Sequence, residues 1–360
     1  MSAETTARDV VRTPEEAVAA ELPPLLVLEP LEAYLDAEGL GSGPIEATAL
    51  GDGHSNVTYL IRRGDERVVL RRPPRPPLPP SAHDVLREAR LQRAVGPAGV
   101  PVPEVLATCD DLEVIGAPFY VMPYIAGHVI SSTLPDVLAA PEDRVRIGEA
   151  LVDGLVAVHA VDVERPEIAG LGKPSGYLER QLRRFTGIWE SIGVREVPDV
   201  VRTAEWLAAN RPESGPTTIV HGDYRLGNAM FADRPGAELV AILDWEMATL
   251  GDPLADVGYL TAMWAGPDDP ANPLLELSGA TRRPGFADRA SLAARYADVT
   301  GRGLDDLAWY QVLAEWKAAI FLENSYKRYL AGSTHDPYFG RLDVGVPALA
   351  RSAWERAQRA

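Results

Sequence analysis

His221-Gly222-Asp223-Tyr224-Arg225-Leu226-Gly227-Asn228, followed by Ile242-Leu243-Asp244-Trp245-Glu246, is the stretch from which the rest of the chain is read. Residues 217–232 and 238–248 carry short apolar runs beside polar ones, which predicts short strands flanking polar loops. Asp223 and Asn228 stand five residues apart on one loop, so both can face one pocket with different tasks. Asp244 follows an apolar strand and sits at its mouth, where a carboxylate can take a metal ion.

These residue types suit phosphoryl transfer. That reaction needs a carboxylate to meet the attacking hydroxyl, oxygen ligands to hold Mg²⁺ on the phosphates, and a nucleophile in line with the γ-phosphorus. Protein kinases use the same spacing, His-x-Asp-x-x-x-x-Asn and then Asp.

Outward from this stretch the chain falls into a β-rich half and a larger helical half. Residues 1–24 read as a flexible tail ending in Leu22-Pro23-Pro24. Residues 28–41 predict a short helix closed by Gly41. From Ile45 to Leu70 the pattern alternates, with turn signals at Gly51, Gly53 and Gly64-Asp65, which predicts a hairpin or two. The prolines of residues 73–80 exclude a helix or a central strand. A helix capped by Ser81 is predicted next, then two strands within residues 100–127. From Pro141 the pattern is helical, most clearly over residues 142–161 and 307–332. Asp252 and Asp256 read as structural, and His159 as a packed core histidine. The expected class is α+β, with an antiparallel-sheet N-lobe over 25–124 and a mainly helical C-lobe over 125–360.

Composition narrows the partners. A length of 360 residues suggests two lobes rather than one small core. The net charge of −17 argues against a nucleic-acid partner. No apolar run reaches the roughly 18 residues of a membrane span. The polar, acidic N-terminus lacks the order of a signal peptide, so a cytoplasmic location is expected. The single cysteine, Cys109, leaves no intrachain disulfide and no multi-cysteine metal site. Lysine is scarce, with only Lys173, Lys317 and Lys327, and the remaining basic residues are arginines.

The segment 221–246 resembles the aminoglycoside phosphotransferase and choline kinase superfamily, whose signature is His-Gly-Asp-x-x-x-x-Asn followed by an Asp-Trp/Phe-Glu/Asp segment. Within it, the chain is similar to the branch of kinase-like domains fused to some acyl-CoA dehydrogenases. GDGHSNVTYLI (51–61), VVLRRPP (68–74), PPSAHDVLREARL (79–91), PFYVMPYIAG (118–127) and ILDWEMATLGDPLADVGY (242–259) carry that likeness in order.

The resemblance implies a two-lobed protein-kinase-like fold with ATP and Mg²⁺ between its lobes. Asp223 would be the catalytic base or orienting carboxylate, and Asn228 and Asp244 the Mg²⁺ ligands. His221 would support the loop. Arg225 would steady Asp223 or meet the transferring phosphoryl group. At the nucleotide end, Gly51 and Gly53 let backbone N–H groups approach phosphates, and Ser55 and Asn56 add donors. Kinases carry a lysine after the next strand, but no lysine precedes residue 173 here. Arg71 is the expected phosphate ligand, with Arg72 second; strand alternation puts the two on opposite faces, so only one should reach the site. Glu88 would pair with Arg71. Met122, the Pro123 carbonyl and the Ile125 N–H would form the adenine hinge. Tyr177, Trp245 and Glu246 are the named candidates for acceptor contacts, with Arg180, Trp189 and Trp264 behind them. The acceptor is expected to be a hydroxyacyl thioester or another metabolic alcohol. An aminoglycoside, or a nucleotide-binding pseudokinase with no turnover, are the alternatives. ATP against GTP, and a homodimer against a dehydrogenase as partner, stay undecided by sequence.

Overall fold

The computed structural model describes residues 9–51, 56–76, 78, 83–192, 194–270, 272–332 and 337–360. These form two compact units. The first runs to Ala98 and resumes over Val102–Ala126; the second takes Gly99–Pro101 and Gly127–Ala360.

The first unit is built on a five-stranded antiparallel sheet in the spatial order Glu46–Leu50, Val57–Arg63, Glu66–Arg72, Phe119–Pro123 and Ala107–Cys109. Val57–Arg63 and Glu66–Arg72 form a hairpin over Gly64, which takes the left-handed φ of +58° that a side chain would resist. One face of the sheet packs Tyr59, Ile61, Leu70, Phe119 and Val121 against Leu31 and Leu35 of the Leu28–Ala37 helix. The Val85–Val95 helix is apolar at Val85 and Ala89 and packs against Tyr120, with Met122 beside it. Its N-cap is Asp84, whose side chain accepts from the Arg87 N–H. Ser81, expected as the cap, lies outside the described residues.

Residues 9–24, expected as part of a flexible tail, are instead structured. Val10–Val11 pairs in parallel with Leu26–Val27, and Pro14–Ala19 is a helix closed at its start by a Thr13–Glu16 capping box. Asp9 also ties this segment down, its side chain 2.6 Å from the Arg75 guanidinium and its carbonyl accepting from Leu25 and Leu26. Such long-range partners leave no local trace in an alternating charged sequence.

The second unit is mainly helical. Its core gathers around the 24-residue helix Leu307–Leu330, with Trp309, Tyr310, Leu313 and Trp316 packed against the helices Tyr177–Ile192, Pro198–Ala209 and Leu342–Ala357. Two small antiparallel sheets carry the loops. Leu239–Ile242, Ala229–Ala232 and Gly127–Val129 form one; Thr249–Gly251 and Thr218–Val220 form the other. The strand Thr218–Val220 therefore ends directly at His221, and Leu239–Ile242 ends two residues before Asp244. No helix among the described residues is long and apolar enough to cross a membrane.

Candidate active site

In the second unit, the polar loop after Thr218–Val220 brings His221, Asp223, Arg225 and Asn228 together. Gly222 has φ +86°, and a Cβ there would stand 2.9 Å from the Met247 carbonyl oxygen, so only glycine fits the turn. Asn228 Nδ2 donates to both the Asp223 side chain, at 2.6 Å, and the Asp223 carbonyl, at 2.8 Å. Those two bonds turn Asn228 Oδ1, an acceptor, away from Asp223 and leave it for another cation or donor. Arg225 Nε lies 3.5 Å from Asp223 Oδ1. Burial would pull the Arg225 pKa down, but the neighbouring Asp223, Tyr259 and Asp244 outweigh it and hold it above the ordinary value.

His221 couples this loop to the next one. Its Nε2 donates to the Leu243 carbonyl at 3.0 Å, and its Nδ1 accepts from the Asp223 N–H at 3.3 Å. This pattern assigns a neutral imidazole with the proton on Nε2. The ring packs against Trp245, with centroids 4.7 Å apart. Asn228 adds a second tie, since its carbonyl accepts from the Leu243 N–H at 2.8 Å. Asp244 follows with φ +65° and ψ +65°, a left-handed conformation that costs a non-glycine residue on the order of 1–3 kcal/mol and persists only where surrounding contacts impose it.

Asp256, read from sequence as structural, is the anchor beneath the loop. Fully buried on the helix Leu254–Met263, it accepts from the His221 N–H at 2.7 Å, the Gly222 N–H at 2.8 Å and His159 Nε2 at 3.2 Å. Burial pushes its carboxyl pKa up, but the hydrogen bonds from His159 and the Gly222 N–H bring it below the ordinary value. His159 in turn meets the Tyr296 hydroxyl at 2.8 Å, inside the core. Asp252 closes a neighbouring junction, accepting from the Leu254 N–H, the Gly215 N–H and the Tyr310 hydroxyl. Tyr259 lies one helical turn beyond Asp256; burial first, and then the nearby Asp223, push its pKa well above the usual value.

In the first unit, Arg71 Nε donates to the Glu88 carboxylate at 3.0 Å, and Asn56 Nδ2 donates to it at 3.4 Å. Glu88 is only 1% exposed, so it is no solvated helix residue. Arg72 points to the opposite face, buried, and donates to the carbonyls of Pro73, Leu25 and Ile115. Met122 pairs with Val69 and Pro123 with Val68 across the sheet. Tyr124 N–H donates to the Arg67 carbonyl, whereas the Ile125 N–H has no partner among the described residues. Gly51 has φ +76°, but Gly53 and Ser55 lie outside the described residues.

Most of the expected acceptor contacts are placed elsewhere. Tyr177 is buried in the helical core, its ring filling the space left by Gly251. Trp245 is fully buried and donates through Nε1 to the Ile242 carbonyl. Trp264 is buried and donates to the Ala287 carbonyl, while Trp189 packs against the core. Arg180 donates to the Lys173 and Ser175 carbonyls. These aromatics are large and apolar, so core packing claimed them. Glu246 stays half-buried in the turn Trp245–Met247, two residues past Asp244.

No cluster of three or more His, Cys, Asp or Glu that could hold a metal ion occurs among the described residues. Asn228 Oδ1 and the Asp244 carboxylate are hard oxygen donors of the kind Mg²⁺ takes beside phosphate oxygens, so the residues fit that ion.

Comparisons with known proteins identify the family. Residues 46–310 match the model of the phosphotransferase enzyme family. The chain is 33% identical over 353 residues to mouse acyl-CoA dehydrogenase family member 10, covering 91% of this chain and 31% of that protein. It is 30% identical over 312 residues to human acyl-CoA dehydrogenase family member 11, covering 84% of this chain and 39% of that one. The chain thus spans about a third of the length of these curated relatives. Among solved structures, a Ralstonia eutropha chain provisionally described as an aminoglycoside phosphotransferase superposes with a TM-score of 0.78 at 29% identity, covering 92% of this chain and 98% of that one. The aminoglycoside phosphotransferase APH(4)-Ia, solved with AMP-PNP and hygromycin B, shares the fold at a TM-score of 0.59 and 16% identity, over 91% of this chain and 98% of its own. With its α+β, kinase-like fold, the chain belongs to the phosphotransferase enzyme family.

Proposed function

We propose that this phosphotransferase moves the γ-phosphoryl group of ATP to a hydroxyl of a small molecule, and that the acceptor is a hydroxyacyl thioester or a related metabolic alcohol. The observation that carries the chemistry is the Asp223–Asn228 pair, locked 2.6 Å apart on a loop tied through His221 to the strained Asp244. In the proposed reaction the acceptor oxygen bonds the γ-phosphorus as the bond to the β,γ-bridging oxygen breaks. The acceptor proton passes to the Asp223 carboxylate, and ADP leaves. Asn228 holds the carboxylate toward the acceptor, and Arg225 steadies its other oxygen. Mg²⁺, held by Asn228 and Asp244, would neutralise phosphate charge. Arg71, oriented by Glu88, would bind the α- and β-phosphates, with Asn56 bracing Glu88. The hinge of Met122, Pro123 and Ile125 would take the base through backbone groups. The choice of acceptor class rests on the relatives named as acyl-CoA dehydrogenase family members.

The test is ADP release with Mg²⁺ across a panel of hydroxyacyl-CoAs, choline-like amines and aminoglycosides, with Asp223→Asn alongside. The expected outcome is release that depends on a hydroxyacyl acceptor and falls by about 10²- to 10⁴-fold in the variant. Transfer to aminoglycosides alone would refute the acceptor class. ATP binding by folded protein without transfer to any member of the panel would count for the pseudokinase.

A further inference from the structure

Lys317 stands apart from the basic residues assigned so far. Lys173 and Lys327 are exposed, whereas Lys317, on the helix Leu307–Leu330, is 7% exposed. Burying an ammonium is costly unless its surroundings compensate. Lys317 makes no ion pair among the described residues. Its Nζ lies over the Phe185 ring, 4.8 Å from the centroid, a cation–π contact that compensates in part.

The rest of its surroundings belong to the catalytic loop. Lys317 lines a small cavity with Gly222, Asp256, Tyr259, Tyr310 and Tyr177. The cavity measures about 10 Å³, room for about one water and too small for an acceptor. Lys317 therefore does not touch a substrate from there. The charged groups facing it are Asp256 from the helix Leu254–Met263, Asp223 from the loop and Arg184 from the helix Tyr177–Ile192. Tyr177, Tyr259 and Tyr310 are held neutral, since burial pushes each phenol far up. Burial pulls the Lys317 pKa down to about 8, with Arg184 adding to the effect and Asp256 and Asp223 opposing it. Asp256 accepts from the backbone of the loop that carries Asp223, and the Lys317 ammonium sits in the field of both carboxylates, with Arg225 a second cation beside Asp223.

We infer that Lys317 is a positioning residue for phosphoryl transfer: its ammonium, packed beside Gly222 and Asp256, offsets the charge of Asp256 and Asp223 and holds the loop in the geometry the acceptor needs. The inference rests on the reading of Asp223 as the carboxylate that meets the acceptor. A lysine that only filled the core would be replaced without loss by methionine, which matches its length and carries no charge.

The experiment compares wild type, Lys317→Met and Lys317→Gln in full-length protein, by thermal melting and by steady-state transfer to the acceptor found with the panel. Lys317→Met is expected to melt cooperatively, at or above the wild-type temperature. Its kcat should fall by about ten- to a hundredfold while the acceptor KM stays within about threefold, as for a misplaced rather than a missing group. Wild-type kcat should also decline from about pH 7 to about pH 9.5 as the ammonium titrates, and that decline should vanish in both variants. A folded Lys317→Met or Lys317→Gln with wild-type kcat and an unchanged pH profile overturns the inference and leaves the phosphotransferase reading standing. A wild-type rate that does not decline over that range overturns it even if neither variant folds. Wild-type protein that turns over no acceptor overturns both.

Discussion

Arg71 on the sheet and Asp223 on the loop after Thr218–Val220 are both polar groups of the proposed site, but different physics positions them. Arg71 is the sixth residue of the strand Glu66–Arg72, paired on both sides by Val57–Arg63 and Phe119–Pro123. Strand alternation alone sends it to one face and Arg72 to the other. Asp223 lies on a loop with no ladder of its own. Its loop is held from sequence positions far away: Asp256 accepts from the Gly222 N–H and Leu243 accepts from His221, while Tyr259 and Lys317 line the cavity beside Gly222. A site built on regular backbone tolerates change in its neighbours. A site built on a loop depends on each buried polar partner, because an orphaned donor or charge pays its full desolvation cost.

The sharpest break in that comparison is the loop anchor. Asp256→Ala leaves two backbone N–H groups and His159 without their shared acceptor, and should cost about 3–5 kcal/mol of stability together with nearly all turnover. Urea unfolding and ADP release measure the two effects. If stability drops while the residual folded protein keeps its kcat, the loop is held by other contacts.

The next effect is a pH dependence with a definite sign. The folded pKa of Lys317 is about 8 against 10.5 ordinarily. Between those values the unfolded chain binds more protons than the folded one, so wild-type stability rises with pH relative to Lys317→Met. The deficit is fully present below about pH 8 and fades toward pH 10.5, with a ceiling on the order of 3 kcal/mol. Denaturant melts of both proteins at pH 7.0 and at about pH 10 check this. A difference that does not change with pH would place the ammonium in water.

The smallest effects separate the adjacent arginines. Arg72→Lys loses the fork that reaches the Pro73, Leu25 and Ile115 carbonyls, and should cost about 1–3 kcal/mol of stability without changing the ATP KM. Arg71→Lys keeps a charge beside the buried Glu88, so it should cost less stability than Arg72→Lys. Its ATP KM should change by less than about tenfold, in either direction. Equal effects of the two substitutions on both quantities would show that the two faces do not have separate roles.

Local pattern carried much of this. Period-two alternation marks the strands around Arg71, and the spacing of Asp223, Asn228 and Asp244 marks the loop, because both signals are read along one short stretch of chain. The acceptor contacts were not legible in the same way. Tyr177, Trp245 and Trp264 have the same composition whether they face a ligand or a core, and only packing decides between the two. The segment 9–24 failed for a related reason: its partners, Leu26–Val27 and Arg75, lie elsewhere in the chain.

By itself, then, the sequence determined the α+β class, the family and the spacing of the polar residues at the loop, since these follow from short-range periodicity and from motifs read along the chain. The tertiary structure alone decided that Asp256 anchors the loop, that Glu88 is buried against Arg71 and Asn56, and that Lys317, 61 residues beyond Asp256 in sequence, shares a cavity with Gly222. Burial and charge balance are properties of what surrounds a side chain in space, and residues distant in sequence supply those surroundings.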